Sequence, residues 1–132
     1  MYALGIEEYL SQIQALLDRY AAASFVVSVS VTTDRRPGEQ GFVSGKVQFT
    51  DGSTLYFREY LDADTQTVEK LMYVYHYQDT TGKMILRYDN AAHRPSPHSF
   101  DHKHDATGIK NVTAPTLEIV LMEIVELQGW AQ

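Results

Sequence analysis

The chain has no cysteine in its 132 residues. Disulfides, thiolate metal sites and cysteine nucleophiles are therefore excluded, which suits a reducing compartment. Long apolar runs are also missing, and the opening Met1-Tyr-Ala-Leu-Gly-Ile-Glu-Glu carries no basic region. Neither a membrane span nor a signal peptide is expected, and the cytoplasm is the expected location. Positive charge is scarce: 11 Lys and Arg stand against 17 Asp and Glu, a net charge of −6. Strong nonspecific binding to a polyanion is not expected of such a balance, because that affinity comes mainly from Lys and Arg contacts to phosphates. Glycine-rich phosphate loops, serine-triad motifs, dinucleotide fingerprints and internal repeats are absent as well.

What is present describes an ordinary globular protein, 44% hydrophobic and 21% charged. Its length suits one domain over residues 1–132, with enough buried surface for a core. Ile6, Leu10, Ile13, Leu17 and Tyr20 recur at helical spacing, predicting an amphipathic helix from Ile6 to Ala22. Leu117, Val120, Leu121, Ile124 and Leu127 repeat the pattern near the other end. Pro115 suits the first turn of that helix, with Thr113 or Ala114 as its cap.

Between the helices the period changes to two. Phe25–Thr32, Val43–Phe49, Leu55–Leu61, Leu71–Gln78 and Met84–Asn90 read as five strands joined by short turns. The expected fold is α+β, a five-stranded antiparallel meander with both helices on one face. Thr50-Asp51-Gly52 fits a turn ending in a left-handed glycine, which keeps Phe49 and Leu55 on the same face. Thr80-Thr81-Gly82 fits the same template. It sets Tyr75 opposite Arg87, Tyr73 opposite Asp89 and His76 opposite Leu86. His76 then faces the helices with Leu86 and Tyr88. Tyr73, Tyr75 and Tyr77 line the other face with Arg87, Arg58, Tyr60 and Lys46. From Ala91 to Gly108 the strand pattern stops, and a long histidine-rich loop is expected.

All five histidines, His76, His93, His98, His102 and His104, lie between Tyr73 and His104, where Lys83, Arg87, Arg94 and Lys103 face only Asp79, Asp89 and Asp101. This locally neutral-to-basic, titratable strip is compatible with a nucleic-acid site or with a protein-docking surface. Glu59 falls on the apolar side of its strand, where an unpaired carboxylate is costly. Either it is an edge-strand glutamate that reaches water, or it pairs with His76 and orients the imidazole as a general base. His102 and His104 supply the candidate acid, while Arg87 and Lys103 are candidate phosphate contacts. Tyr75 and Tyr77 either stack bases or pack cross-strand. His102 and His104 with His93 or His98 could also form a three-histidine metal site. That reading ranks behind phosphate handling, and no metal or cofactor is expected.

The run Tyr75-His76-Tyr77-Gln78, then Arg87-Tyr88-Asp89-Asn90-Ala91, His93, and Phe100 with His102-Lys103-His104, resembles the TumE-like toxin family of bacterial toxin–antitoxin modules. The match extends through Asp51-Gly52 and Arg58-Glu59-Tyr60 to the helix opening at Pro115. The family's usual Asn-Ala-Pro-His-His-Pro stands here as Asn90-Ala91-Ala92-His93-Arg94-Pro95, so Arg94 replaces one histidine and no role carries over to it. The resemblance implies a growth-inhibiting toxin neutralised by a cognate antitoxin, often a helix-turn-helix protein. It adds Asp89, Asn90 and His93 to the candidate substrate contacts. By analogy the expected activity is that of a metal-independent ribonuclease, with RNA as partner. The alternatives are a non-catalytic toxin that blocks its target through the tyrosine-rich face, and a metal-dependent hydrolase using the loop histidines.

Overall fold

Helical spacing of apolar residues builds α1 (Ile6–Ala21), which buries Ile6, Ile13, Leu16, Leu17 and Tyr20. Glu7 and Glu8 in its first turn and Arg19 in its last complement the helix dipole. A computed structural model describes residues 5–63, 67–91 and 101–130. After α1 come β1 (Val26–Arg36), β2 (Gln40–Phe49), β3 (Thr54–Asp62), β4 (Glu69–Gln78), β5 (Met84–Asp89), β6 (His102–Asp105), β7 (Gly108–Asn111) and α2 (Leu117–Gln128). The strands form one antiparallel sheet in chain order.

The expected α+β meander is present, but with seven strands among the described residues instead of five. The first additional strand forms inside the segment expected to be loop, and the second begins at its last residue, Gly108. Asp105 Oδ1 accepts from the Thr107 amide at 2.8 Å and Gly108 takes φ +115°, closing a β6–β7 hairpin. The turn that ends β4 is built alike. Asp79 Oδ1 accepts from the Thr81 amide at 2.9 Å, and Gly82 sits at φ +87°. His93 and His98 lie outside the described residues.

Both helices cover one face of the sheet. Tyr9 of α1 reaches Glu59, while Gln128 of α2 donates to the Tyr77 hydroxyl at 2.8 Å. Trp130, just past α2, stacks on Phe25 and Phe49. α2 is capped by Thr116, whose hydroxyl accepts from the Ile119 amide at 3.1 Å, and it ends at Gly129 with φ +70°. The cap is thus one residue after Pro115, not before it, and Leu127 lies exposed while Val125 is buried in its place. No helix among the described residues is long and apolar enough to cross a membrane.

The β2–β3 turn is as expected. The Phe49 amide donates to the Ser53 carbonyl at 2.9 Å, Gly52 has φ +88°, and Phe49 and Leu55 are both buried. The β4–β5 hairpin is not. Its turn has the expected form, and Gln78 opposes Met84, but Tyr77 then opposes Leu86. Ile85 is an extra residue, a bulge that shifts the register by one. One residue of slip exchanges the faces of everything beyond it. His76 therefore opposes Arg87, and Tyr75 opposes Tyr88. Tyr73, Tyr75 and Tyr77 turn inward and are almost wholly buried.

Candidate functional site on the open sheet face

With the helices on one side, no described element covers the other face of the sheet. Ser30, Lys46, Tyr56, His76, Arg87 and His104 stand opposite one another, strand by strand, from β1 to β6. The adjacent row carries Ser44, Arg58, Val74, Asp89 and His102. Pairing between strands, not closeness in sequence, brings these groups together. Ser30, Lys46, Tyr56, Arg58, His76 and Arg87 share a cleft of about 530 Å³.

Asp89 is the hub at the β5–β6 end. Its side chain is only 4% exposed and accepts from Arg87 Nε at 2.9 Å and from the Ala91 amide at 3.1 Å. His104 Nε2 lies 3.4 Å from Oδ2, and His102 Nδ1 lies 3.8 Å from Oδ1. Burial alone would raise the Asp89 pKa. The hydrogen bonds from Arg87 and Ala91, with the charges of Arg87 and His104, outweigh it and hold the carboxyl below its usual range.

His76 bridges Arg87 and Gln78. Arg87 Nη1 lies 3.2 Å from its Nδ1, and Gln78 Oε1 lies 3.1 Å from its Nε2. A guanidinium can only donate, so Nδ1 is the acceptor and Nε2 carries the proton. Burial and then the Arg87 charge press the His76 pKa below its ordinary value, and the Gln78 contact only partly opposes them. The imidazole is therefore neutral at pH 7.

Four expected site residues, Glu59, Lys103, Tyr75 and Tyr77, lie on the helix side, the wrong side for this chemistry. Glu59 faces the helices, is 0% exposed and pairs with Tyr73 across the strands. It neither reaches water nor touches His76. Instead it accepts from the Tyr9 hydroxyl at 2.5 Å and from the Tyr75 hydroxyl. Lys103 also points to the helix side, where its amine binds Glu123 of α2 at 2.5 Å and lies over the Tyr88 ring. Tyr75 and Tyr77, being buried, offer no stacking platform, nor does the tyrosine-lined docking face exist. Asn90 holds backbone. Its Oδ1 accepts from the Tyr73 amide and its Nδ2 donates to the Leu71 carbonyl, both at 3.1 Å.

The residues missed in the sequence belong mostly to the cluster around Glu59. Lys70 donates to the Tyr75 hydroxyl at 2.7 Å and to the Pro115 carbonyl at 2.5 Å. Burial lowers its pKa, against the pull of Glu59 and Asp101. Tyr73 donates to Asp101 at 2.7 Å. Burial, and then the Glu59 carboxylate, push the Tyr9 and Tyr75 hydroxyls far above the usual tyrosine range, so both remain protonated donors. Lys70 lies beside a second bulge, at Leu71, and a bulge has no signature in alternation alone. No group of three His, Asp or Glu among the described residues is placed to share a metal ion.

A family model described as Toxin TumE matches residues 13–128, and the chain belongs to that family. Comparison with curated proteins and with solved structures gives no match. Membership makes this a toxin of a toxin–antitoxin module and implies a cognate antitoxin.

Proposed function

We propose that the chain is a metal-independent ribonuclease toxin of the cytoplasm whose site is the open sheet face around His76, Arg87 and His104. The observation that carries this reading is the cross-strand row itself. It sets a neutral imidazole, a guanidinium and a second imidazole side by side, with Asp89 behind the last two. Cleaving RNA without metal needs a base for the 2′-hydroxyl, an acid for the departing 5′-oxygen and a cation for the phosphate. His76 is the base. Arg87 holds the phosphate, and in turning to it would release the Nδ1 lone pair of His76. His104 is the acid, with Asp89 positioning it and Arg87 together. His102, further from Oδ1 and largely buried, supports Asp89 from the other side. The 2′-oxygen attacks phosphorus as His76 takes its proton. The 5′-oxygen leaves with a proton from His104, giving a 2′,3′-cyclic phosphate and a 5′-hydroxyl. The antitoxin, taken to be a helix-turn-helix protein, would cover this face.

The test is cleavage of RNA in the presence of EDTA by purified protein. A positioned proton-transfer group is worth about 10²–10⁴-fold. His76→Ala and His104→Ala, once verified as folded by circular dichroism, should each lose activity on that scale and should no longer arrest growth. Folded His76→Ala and His104→Ala proteins that remain fully toxic would reject the histidine mechanism.

A further inference from the structure

We infer that the open face carries a single-strand binding subsite beside the proposed cleavage site, with Tyr56 as the surface on which an unpaired base stacks and Lys46 and Arg58 as its phosphate contacts. The inference rests on the reading above in taking RNA as the ligand. Tyr56 stands between Lys46 and His76 in the cross-strand row and is 43% exposed, whereas the three tyrosines of β4 are sealed beneath the helices. Nothing in the core uses its ring. Its neighbours on the face include Ser30, Ser44 and Val74, side chains too short to cover it, and this leaves the cleft open above the ring.

The electrostatics point the same way. Lys46, Arg58 and Arg87 all line this cleft, and no carboxylate does among the described residues. Arg87 is held by Asp89, but among the described residues neither Lys46 nor Arg58 has an ion-pair partner. A chain with net charge −6 thus concentrates unneutralised positive charge around one exposed aromatic ring. Cations that track the backbone, beside an aromatic ring on which a base stacks, are what single-stranded nucleic acid requires. A duplex keeps its bases stacked on one another, so it has no free base face to offer the tyrosine. Lys46 and Arg87 are three strands apart, about 14 Å at the spacing of a sheet. An extended strand crossing β2 to β5 would meet cation, ring, imidazole and guanidinium in turn.

The test uses a labelled 2′-O-methyl RNA octamer, which lacks the attacking hydroxyl, as a single strand and annealed to its complement. Binding is read by fluorescence anisotropy, and cleavage of the unmodified octamer is followed in parallel. Base stacking on an aromatic side chain is worth about 1–3 kcal/mol, so Tyr56→Ala should weaken single-strand binding about 5–150-fold while Tyr56→Phe stays near the parent. Arg58→Ala should weaken binding and flatten its dependence on salt. The duplex should bind at least about tenfold more weakly than the single strand. Folded Tyr56→Ala that binds like the parent, equal affinity for duplex, or no binding of either probe would overturn the subsite. If the parent cleaves RNA and Tyr56→Ala binds normally, the ribonuclease stands and the subsite falls. Binding that depends on Tyr56 without any cleavage supports the subsite and removes the ribonuclease.

Discussion

Replacing Glu59 by alanine separates a structural carboxylate from a catalytic one. The side chain is fully buried and accepts two hydroxyl hydrogen bonds, from Tyr9 on α1 and Tyr75 on β4. Hydrogen bonds to a charged acceptor contribute about 1.5–3 kcal/mol each. Deleting one partner of a buried charged cluster costs about 3–5 kcal/mol by comparison with other proteins, so the two routes agree. Unfolding entropy scales at roughly 2.1 cal/mol/K per residue, and for this chain such a loss lowers Tm by roughly 10–18 °C. Tyr75→Phe, which removes one donor, should cost about 1.5–3 kcal/mol. Differential scanning fluorimetry and urea unfolding measure both. RNA cleavage, measured well below the lowered Tm, should keep its rate, because Glu59 and His76 are on opposite faces of the sheet. A Glu59→Ala protein with parental Tm and no activity would refute the reasoning and return Glu59 to the site.

Three other outcomes are expected. Gly52→Ala should destabilise more than Gly82→Ala, although both glycines have φ near +88°, because a Cβ at Gly52 would lie 2.6 Å from Thr80 Oγ1 while one at Gly82 meets nothing. Gly82→Ala then reads the left-handed backbone alone, about 1 kcal/mol, and Gly52→Ala about twice that; equal losses in urea unfolding would mean that the hairpin tips do not touch. The His76 pKa is lowered on folding, so the unfolded chain takes up its proton first as pH falls through 6.5. Its contribution to stability is fully present above that pH and is lost below it, so the urea midpoint of the parent should fall between pH 7 and 5 more steeply than that of His76→Gln. Parallel profiles would remove His76 from that role. Arg87→Glu or Arg58→Glu should weaken the antitoxin complex mainly through its association rate, as surface plasmon resonance would record. If only substitutions in α1 disturb binding, neutralisation occurs away from the sheet.

Much of the fold was legible because two periodicities carried it. Both helices and the β2–β3 hairpin followed from apolar spacing and a single left-handed glycine. The reading failed where one residue was added. Thr80-Thr81-Gly82 closed its turn as expected, but Ile85 bulged and reversed the faces beyond it. The tyrosines and His76 therefore exchanged sides, taking with them the pairing of His76 with Glu59. The last hairpin did leave a trace in the sequence. Asp79-Thr80-Thr81-Gly82 and Asp105-Ala106-Thr107-Gly108 share aspartate, threonine and glycine at the same spacing, and both aspartates cap the threonine two residues on. Its histidines hid the likeness, since His102 and His104 alternate with Lys103 and no apolar residue marks a face. The grouping of Arg87, Asp89 and His104 was not legible, because it exists only through strand pairing.

Because helices pack on one side of the sheet and no described element packs on the other, neighbouring residues of one strand meet different structural demands. In β4, Tyr73, Tyr75 and Tyr77 are held by the core, so exchanging them is costly. His76 between them, and Lys46, Tyr56 and Arg58 on the strands alongside, carry no helix and fill no cavity. They can drift without unfolding the protein. If the open face is the site proposed above, a toxin so built would change its target, or slip its antitoxin, through every second residue of a strand while its hydrophobic partner positions stay fixed.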